Sequence, residues 1–274
     1  MSILRFSFST IPEVFIARIQ LDSSDWITDQ ADFSFVFERK NADLLHIEGS
    51  FAYLCSMRIL IVAATDSELA ATRDYYTKSA SVNFTLDFLV TGVGMTPTAY
   101  TLTKKLATRK YDLVINIGIA GSFRHEISLG DVVNVVSETF ADLGAEDGLS
   151  FKSVFDLKLQ SPDSYPFWNG KIKNDHAGKF IGLRSLKKVG AITVNKAHGN
   201  TESIQRTIMK FHPDIESMEG AAFFYVCAME KVPFLQLRAI SNRVELRNRD
   251  AWKIELALDN LNETVRTFLD EVVQ

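Results

Sequence analysis

From Met57 onward, short runs of consecutive apolar residues alternate with helix-length segments, and this alternation limits the possible folds more than any other feature. The run Met57-Arg58-Ile59-Leu60-Ile61-Val62-Ala63-Ala64 is apolar after Arg58, with no polar alternation. That is the pattern of a parallel strand covered on both faces. Residues 84–90, 113–117, 132–136, 189–194 and 232–241 read as further strands. A helical pattern starts after Thr65-Asp66, either of which can cap it. Others cover about residues 98–108, 203–211 and 252–272, and one follows Glu219 and ends before Pro233. Residues 141–180 carry Gly144, Gly148, Pro162, Pro166 and Gly170 and read as loop-rich. Strands separated by helices imply an α/β fold. The expectation is a single three-layer α/β/α domain over residues 57–274, with a mixed, largely parallel central sheet.

Residues 1–56 differ from the rest. They contain Phe6, Phe8, Phe15, Phe33, Phe35 and Phe37, but no glycine before Gly49 and no strand–helix alternation. They read as an N-terminal extension, either a small appendage or the product of an upstream start with Met57 as the natural one. The chain is 46% hydrophobic and 23% charged, as in a globular domain. Its net charge of −4 gives no basic footprint for nucleic acid. Cys55 and Cys227 offer neither a disulfide framework nor metal spacing. They read as buried free thiols, which fits a reducing cytoplasm. No apolar run reaches membrane-spanning length, and Glu13, Arg18 and Asp22 interrupt any leader-like stretch.

In sheets of this kind, ligands bind beyond the carboxyl ends of the strands. Five segments fall there: 65–68, 92–95, 118–122, 217–220 and 241–243. In Ser217-Met218-Glu219-Gly220-Ala221-Ala222, Glu219 sits at a strand-to-helix junction followed by small residues, which let a ligand approach. At the positive end of the helix dipole, its carboxylate could accept bonds from the paired hydroxyls of a sugar, or serve only its own helix. Gly92-Val93-Gly94 lacks the third glycine of a dinucleotide loop, since position 97 is Pro. Backbone room for a sugar explains it better. Gly118-Ile119-Ala120-Gly121 could be simple tight packing. His125, His176, His198 and His212 show no metal spacing and read as surface residues. No Gly-x-Ser-x-Gly elbow occurs, so a covalent hydrolase is disfavoured. Neither a metal nor a cofactor is expected.

Met57 to Glu68, Gly92-Val93-Gly94, Asn116-Ile117-Gly118-Ile119-Ala120-Gly121, Ser217-Met218-Glu219-Gly220-Ala221 and Arg238-Ala239-Ile240-Ser241-Asn242 occur in that order. Together they resemble the nucleoside phosphorylase and nucleosidase family, particularly methylthioadenosine/adenosylhomocysteine nucleosidases. The resemblance covers most of residues 57–272 and none of 1–56. Residues 140–148 and 242–254 look most like the futalosine hydrolases, which act in an alternative menaquinone route. The resemblance implies a nucleoside phosphorylase-like fold, a homo-oligomer, no cofactor, and hydrolysis of the N-ribosidic bond of a 6-oxopurine nucleoside. Futalosine would then yield hypoxanthine and dehypoxanthine futalosine. Glu68 matches the carboxylate that activates the attacking water. Glu219 matches the one that holds the ribose hydroxyls, with Met218 against the sugar and Gly94, Ala120, Gly121 and Ser241 lining the site. Two departures stand out. Asn242 replaces the aspartate of the adenine-specific enzymes, and Lys196-Ala197-His198 stands where they carry an aromatic.

The residue chemistry agrees with these roles. Cleavage builds positive charge on the sugar, which a carboxylate at the ribose would stabilise. Asn242 presents a donor and an acceptor. Its NH2 can face a purine O6 while its C=O accepts from a protonated N7; a carboxylate would set an acceptor against O6. Futalosine carries a benzoate on the 5′ side of its sugar. Arg243, Arg247 and Arg249 follow Asn242, and Arg247 or Arg249 is expected to pair with that carboxylate through two N–H groups. Trp252 could supply a ring contact. The plainer alternatives are a solvated basic loop and a helix anchor. A purine nucleoside phosphorylase would need cations at the sugar, whereas the turn 63–68 offers two acids. An adenine-preferring nucleosidase and a non-enzymatic nucleoside-binding module are the other rivals. The presence of both Glu68 and Glu219 argues against the last.

Overall fold

The structure, a computed structural model, describes residues 17–19, 32–38, 44–50, 57–78, 84–177 and 180–272. The chain divides into two units, Met1–Cys55 and Ser56–Gln274. The first contains an antiparallel sheet of β1 (Ala17–Ile19), β2 (Asp32–Glu38) and β3 (Leu44–Ser50). Cys55, expected to be buried, lies outside the described residues.

The second unit opens with β4 (Met57–Ala63), α1 (Asp66–Lys78), β5 (Phe84–Val90), α2 (Met95–Thr108), β6 (Leu113–Ser122) and β7 (Val132–Phe140). Two small hairpins follow, β8 (Gly144–Asp147) with β9 (Ser150–Ser153), and β10 (Phe167–Trp168) with β11 (Lys171–Lys173). The chain closes with β12 (Lys187–Thr193), α3 (Thr201–Phe211), β13 (Ile215–Ser217), α4 (Gly220–Met229), β14 (Phe234–Arg243) and α5 (Ile254–Val272).

Nine strands form one mixed sheet in the order β10-β11-β7-β12-β13-β6-β4-β5, with β14 joining β6 to β7. β4, β5, β6 and β14 run parallel to one another, and the apolar run of β4 fits that setting. β7, β12 and β13 run the other way, β14 meeting β7 and β13 meeting β6 in antiparallel fashion. Strands β6, β14, β7, β12 and β13 pair in succession, and β13 pairs back onto β6, so these five close into a ring.

Helices cover both faces. On α5, Ala257, Leu261, Val265, Phe268 and Leu269 recur at helical spacing and are buried with Leu69 of α1 against Ile59, Ile61, Leu235 and Leu237. Each of the Leu, Ile, Val and Phe side chains is worth about 1.5–3 kcal/mol when buried. On the other face, α4 is apolar around its circumference and is enclosed by the sheet and α2, with Phe223, Phe224, Val226 and Cys227 buried. Cys227 is the expected buried thiol, and burial pushes its pKa up.

Several boundaries differ from expectation. α2 starts at Met95 because Pro97 is tolerated in a first turn, where its missing N–H would have had no helical acceptor. β14 runs on to Arg243, and α5 begins at Ile254, after a 3₁₀ turn over Arg249–Ala251. The stretch read as loop-rich holds four strands of two to four residues, too short to leave a periodic pattern.

Candidate active site

Glu68 lies in the first turn of α1. Its Oε2 accepts from the backbone N–H and the hydroxyl of Thr65, both at 2.9 Å. A carboxylate three residues into a helix that takes back the N–H of the capping residue is half of a capping box. Oε1 accepts from the Ile119 N–H of β6 at 3.1 Å. The side chain is thereby pinned over the ends of two neighbouring strands, and Glu68 is only 7% exposed.

Glu219 is the N-cap residue of α4 but makes no side-chain cap bond. Its Oε1 instead accepts from the Gly94 N–H at 2.9 Å. Gly92 and Gly94 have φ of +91° and +97°, which side-chain-bearing residues rarely adopt, so this turn requires glycine. Arg238 of β14, 1% exposed, lies beside Glu219, with Nη2 3.9 Å from Glu219 Oε2 and Nη1 bordering the same space over Gly118 as Glu68 Oε1. A Cβ at Gly118 would overlap Arg238 Nη1 and stand 2.8 Å from Glu68 Oε1. Gly118 is thus the space in which the guanidinium lies, a role beyond the tight packing foreseen for it. Arg238 Nε and Nη2 have no hydrogen-bond acceptor among the described residues. No role for Arg238 follows from the motifs in the sequence. The available signal was a lone arginine in the apolar run 234–240, since a buried charge requires a partner.

Asn242 stands beside this group. In the pairing of β14 with β6, Ile240 matches Ala120 and Asn242 matches Gly121, so Ser241 is the extra residue of a bulge. Ser241 Oγ donates to Asn242 Oδ1 at 2.8 Å, and Asn242 Nδ2 donates to the Arg243 carbonyl at 2.9 Å. An amide oxygen has two lone pairs and an NH2 two hydrogens, so one acceptor site and one donor remain for a ligand. A Cβ at Gly121 would come within 3.0 Å of Asn242 Nδ2, so glycine there lets the amide lie against β6. Ala120 and Ser241 are buried, and Met218, adjoining Glu219, is half-buried.

The arginines divide by role. Arg243 donates to the carbonyls of Arg124 (2.5 Å), Ile127 (2.6 Å) and His125 (3.3 Å), and so pins the turn after β6. Arg247 and Arg249 are exposed, with guanidinium carbons 5.6 and 5.9 Å from the Trp252 ring centre. The Lys253 N–H donates to the Ser241 carbonyl at 2.8 Å, which holds Trp252 at the rim beside Asn242.

The surface assignment holds for His125 and His212, which are exposed, and fails for His176 and His198, which are half-buried. Both the backbone N–H and Nδ1 of His198 engage Glu216, and Nε2 pairs with the Thr207 hydroxyl at 2.8 Å. A buried carboxylate on β13 needs such partners. Among the described residues no His, Cys, Asp or Glu cluster could hold a metal ion, and no helix is long and apolar enough to cross a membrane.

The family model of the phosphorylase superfamily matches residues 58–274. The futalosine hydrolase of Streptomyces coelicolor is 34% identical over 186 residues, 65% of this chain and 76% of that protein. The futalosine hydrolase of Thermus thermophilus is 28% identical over 187 residues, 67% of this chain and 81% of its own. The solved structure of a futalosine hydrolase from Helicobacter pylori strain 26695 superposes with a TM-score of 0.66 at 17% identity, covering 79% of this chain and 98% of that one. That likeness is one of fold.

Proposed function

This chain belongs to the phosphorylase superfamily, and within it we propose an N-glycosyl hydrolase that converts futalosine and water to hypoxanthine and dehypoxanthine futalosine, in menaquinone biosynthesis. The observation that carries this reading is the pair Glu68 and Glu219, each buried and each anchored by a backbone N–H, with Arg238 buried beside Glu219. Glu68 takes a proton from water as it attacks the anomeric carbon, on the face opposite the departing base. Glu219 accepts from the ribose hydroxyls and strengthens that contact as the sugar becomes cationic. Met218 packs on the sugar, and Gly94, Ala120 and Gly121 give it room. Asn242, set by Ser241, accepts from N7–H of the leaving hypoxanthine and donates to O6. Arg247 or Arg249, with Trp252, receives the benzoate at the exposed rim.

Phosphorolysis fits less well. Arg238 already pairs with Glu219, and a phosphate dianion would have to compete with that carboxylate. We also place the enzyme in the cytoplasm, where Cys227 stays a free thiol. We further propose a homo-oligomer in which residues 141–180 contribute to the contact, since Leu159, Tyr165 and Trp168 are exposed there.

The test is a nucleoside panel with and without phosphate, following release of hypoxanthine and adenine. Phosphate-independent release of hypoxanthine from futalosine is expected, and Glu68→Gln should lower kcat about 10²–10⁴-fold. Phosphate-dependent turnover, or near-normal turnover by Glu68→Gln, would overturn the reading.

A further inference from the structure

A fully buried carboxylate beneath the site takes no part in the chemistry above. Glu138 of β7 is 0% exposed. Its Oε1 accepts from Gln236 Nε2 of β14 at 2.6 Å, and its Oε2 accepts from the Thr193 hydroxyl of β12 at 2.9 Å. Gln236 Oε1 accepts in turn from Asn116 Nδ2 of β6 at 3.0 Å. Thr193 Oγ1 accepts from the Ala221 N–H, in the first turn of α4, at 2.7 Å. A Cβ at Gly220 would overlap Glu138 Oε1, so glycine lets α4 begin directly on the carboxylate. The bonds therefore have one direction: Ala221 gives to Thr193, and Thr193 gives to Glu138. An ionised carboxylate only accepts, whereas a protonated one must donate from one oxygen. Protonation would set that O–H against the Gln236 amide or the Thr193 hydroxyl and disturb the chain.

We propose that Glu138, as an anion, is a positioning residue that acts through Thr193 and Ala221 to fix the first turn of α4, and with it the Glu219 carboxylate at the ribose. This rests on the role given to Glu219 above. Glu219 is two residues ahead of Ala221 and has no cap bond of its own. The charged groups facing Glu138 are Arg238 of β14 and Glu219 itself. β12 and β11 set Ala191 and Ile172 opposite it. Burial raises the pKa of Glu138 to about 7, against the lowering effect of Gln236, Thr193 and Arg238. The anion, and the ordered helix start, are then lost as pH falls through neutrality. Stability moves the opposite way. The folded state holds the proton between the unfolded value, about 4.3, and about 7. Folding is favoured at the acid end, and that contribution is gone above about 7.

The experiment compares wild type, Glu138→Gln, Thr193→Val and Glu219→Gln on futalosine from about pH 5.5 to 8.5, with thermal melting at each pH. Wild type should lose kcat/KM on the acid side of neutrality. Glu138→Gln should sit at the wild-type acid-side level throughout, at least about tenfold down at pH 8, as a misplaced catalytic group does. It should melt no earlier than wild type at pH 8, because it buries no charge. Thr193→Val, which keeps the carboxylate but cuts the chain, should lose activity at pH 8 as well. A wild-type profile in Glu138→Gln, a flat wild-type profile, or an activity loss that only tracks a lower melting temperature would overturn the proposal. If Glu219→Gln is fully active, the ribose reading fails and this proposal with it. If Glu219→Gln is impaired and Glu138→Gln is not, only the positioning role fails.

Discussion

Gly118→Ala tests the packing of the charged cluster without replacing any side chain that meets substrate. The new methyl would overlap Arg238 Nη1 and sit 2.8 Å from Glu68 Oε1, about 0.6 Å short of the 3.4 Å at which ordinary contact begins. Arg238 is 1% exposed, so its guanidinium cannot simply swing into solvent. Overpacking of this kind costs about 1–3 kcal/mol, which for a domain of this size lowers the melting temperature by roughly 2–12 °C. Glu68 is expected to retreat from the Ile119 N–H, its 3.1 Å anchor on β6. A shift approaching 1 Å at a catalytic group lowers the rate by up to about 10²-fold. Hypoxanthine release at saturating futalosine reads kcat, and calorimetry reads the melting temperature. A variant that keeps both would show that the guanidinium does not lie over Gly118, and the cluster as described would be wrong.

Asn242→Asp should shift preference from 6-oxo toward 6-amino purine nucleosides by about 10- to 100-fold, as a buried mismatch of one hydrogen bond does. Paired assays on inosine and adenosine measure the ratio, and an unchanged ratio removes Asn242 from base reading. Arg247→Met and Arg249→Met should each leave inosine turnover intact, and the one that meets the benzoate should lose futalosine turnover selectively. Equal effects on both substrates would return that arginine to the solvated loop. Gly94→Ala should raise KM, because its φ of +97° is strained for alanine and its N–H holds Glu219. An unchanged KM would separate that turn from the ribose site.

The strands of the core were legible because Ile59 to Ala63 is an unbroken apolar run and Leu113 to Ile117 is interrupted only by Asn116, as burial on two faces demands. The places of Glu68 and Glu219 in the fold were legible because both stand at strand-to-helix junctions, where orphan backbone donors collect. Arg238, Glu138 and the His198–Glu216 pair were not. Each depends on partners far along the chain, and spacing within one segment carries no trace of them. The direction of β13 was equally hidden, since three residues define neither period nor sense. The 3₁₀ turn ahead of α5 blurred the helix start, because Trp252 fits the amphipathic pattern while lying outside the helix.

The ring of five strands bears on when the site can exist at all. β14 is the last of the described strands to leave the ribosome, yet among them it alone pairs directly with both β6 and β7, and it carries Gln236, Arg238, Ser241 and Asn242. Until residue 243 has emerged, β6 and β7 present unpaired apolar edges where β14 will later insert, the kind of edge that invites wrong partners. Glu219 meanwhile lacks the Arg238 cation beside it. A nascent chain truncated before β14 is therefore expected to bind no nucleoside, however well its earlier strands have paired, and substrate affinity should appear only with the closing strand.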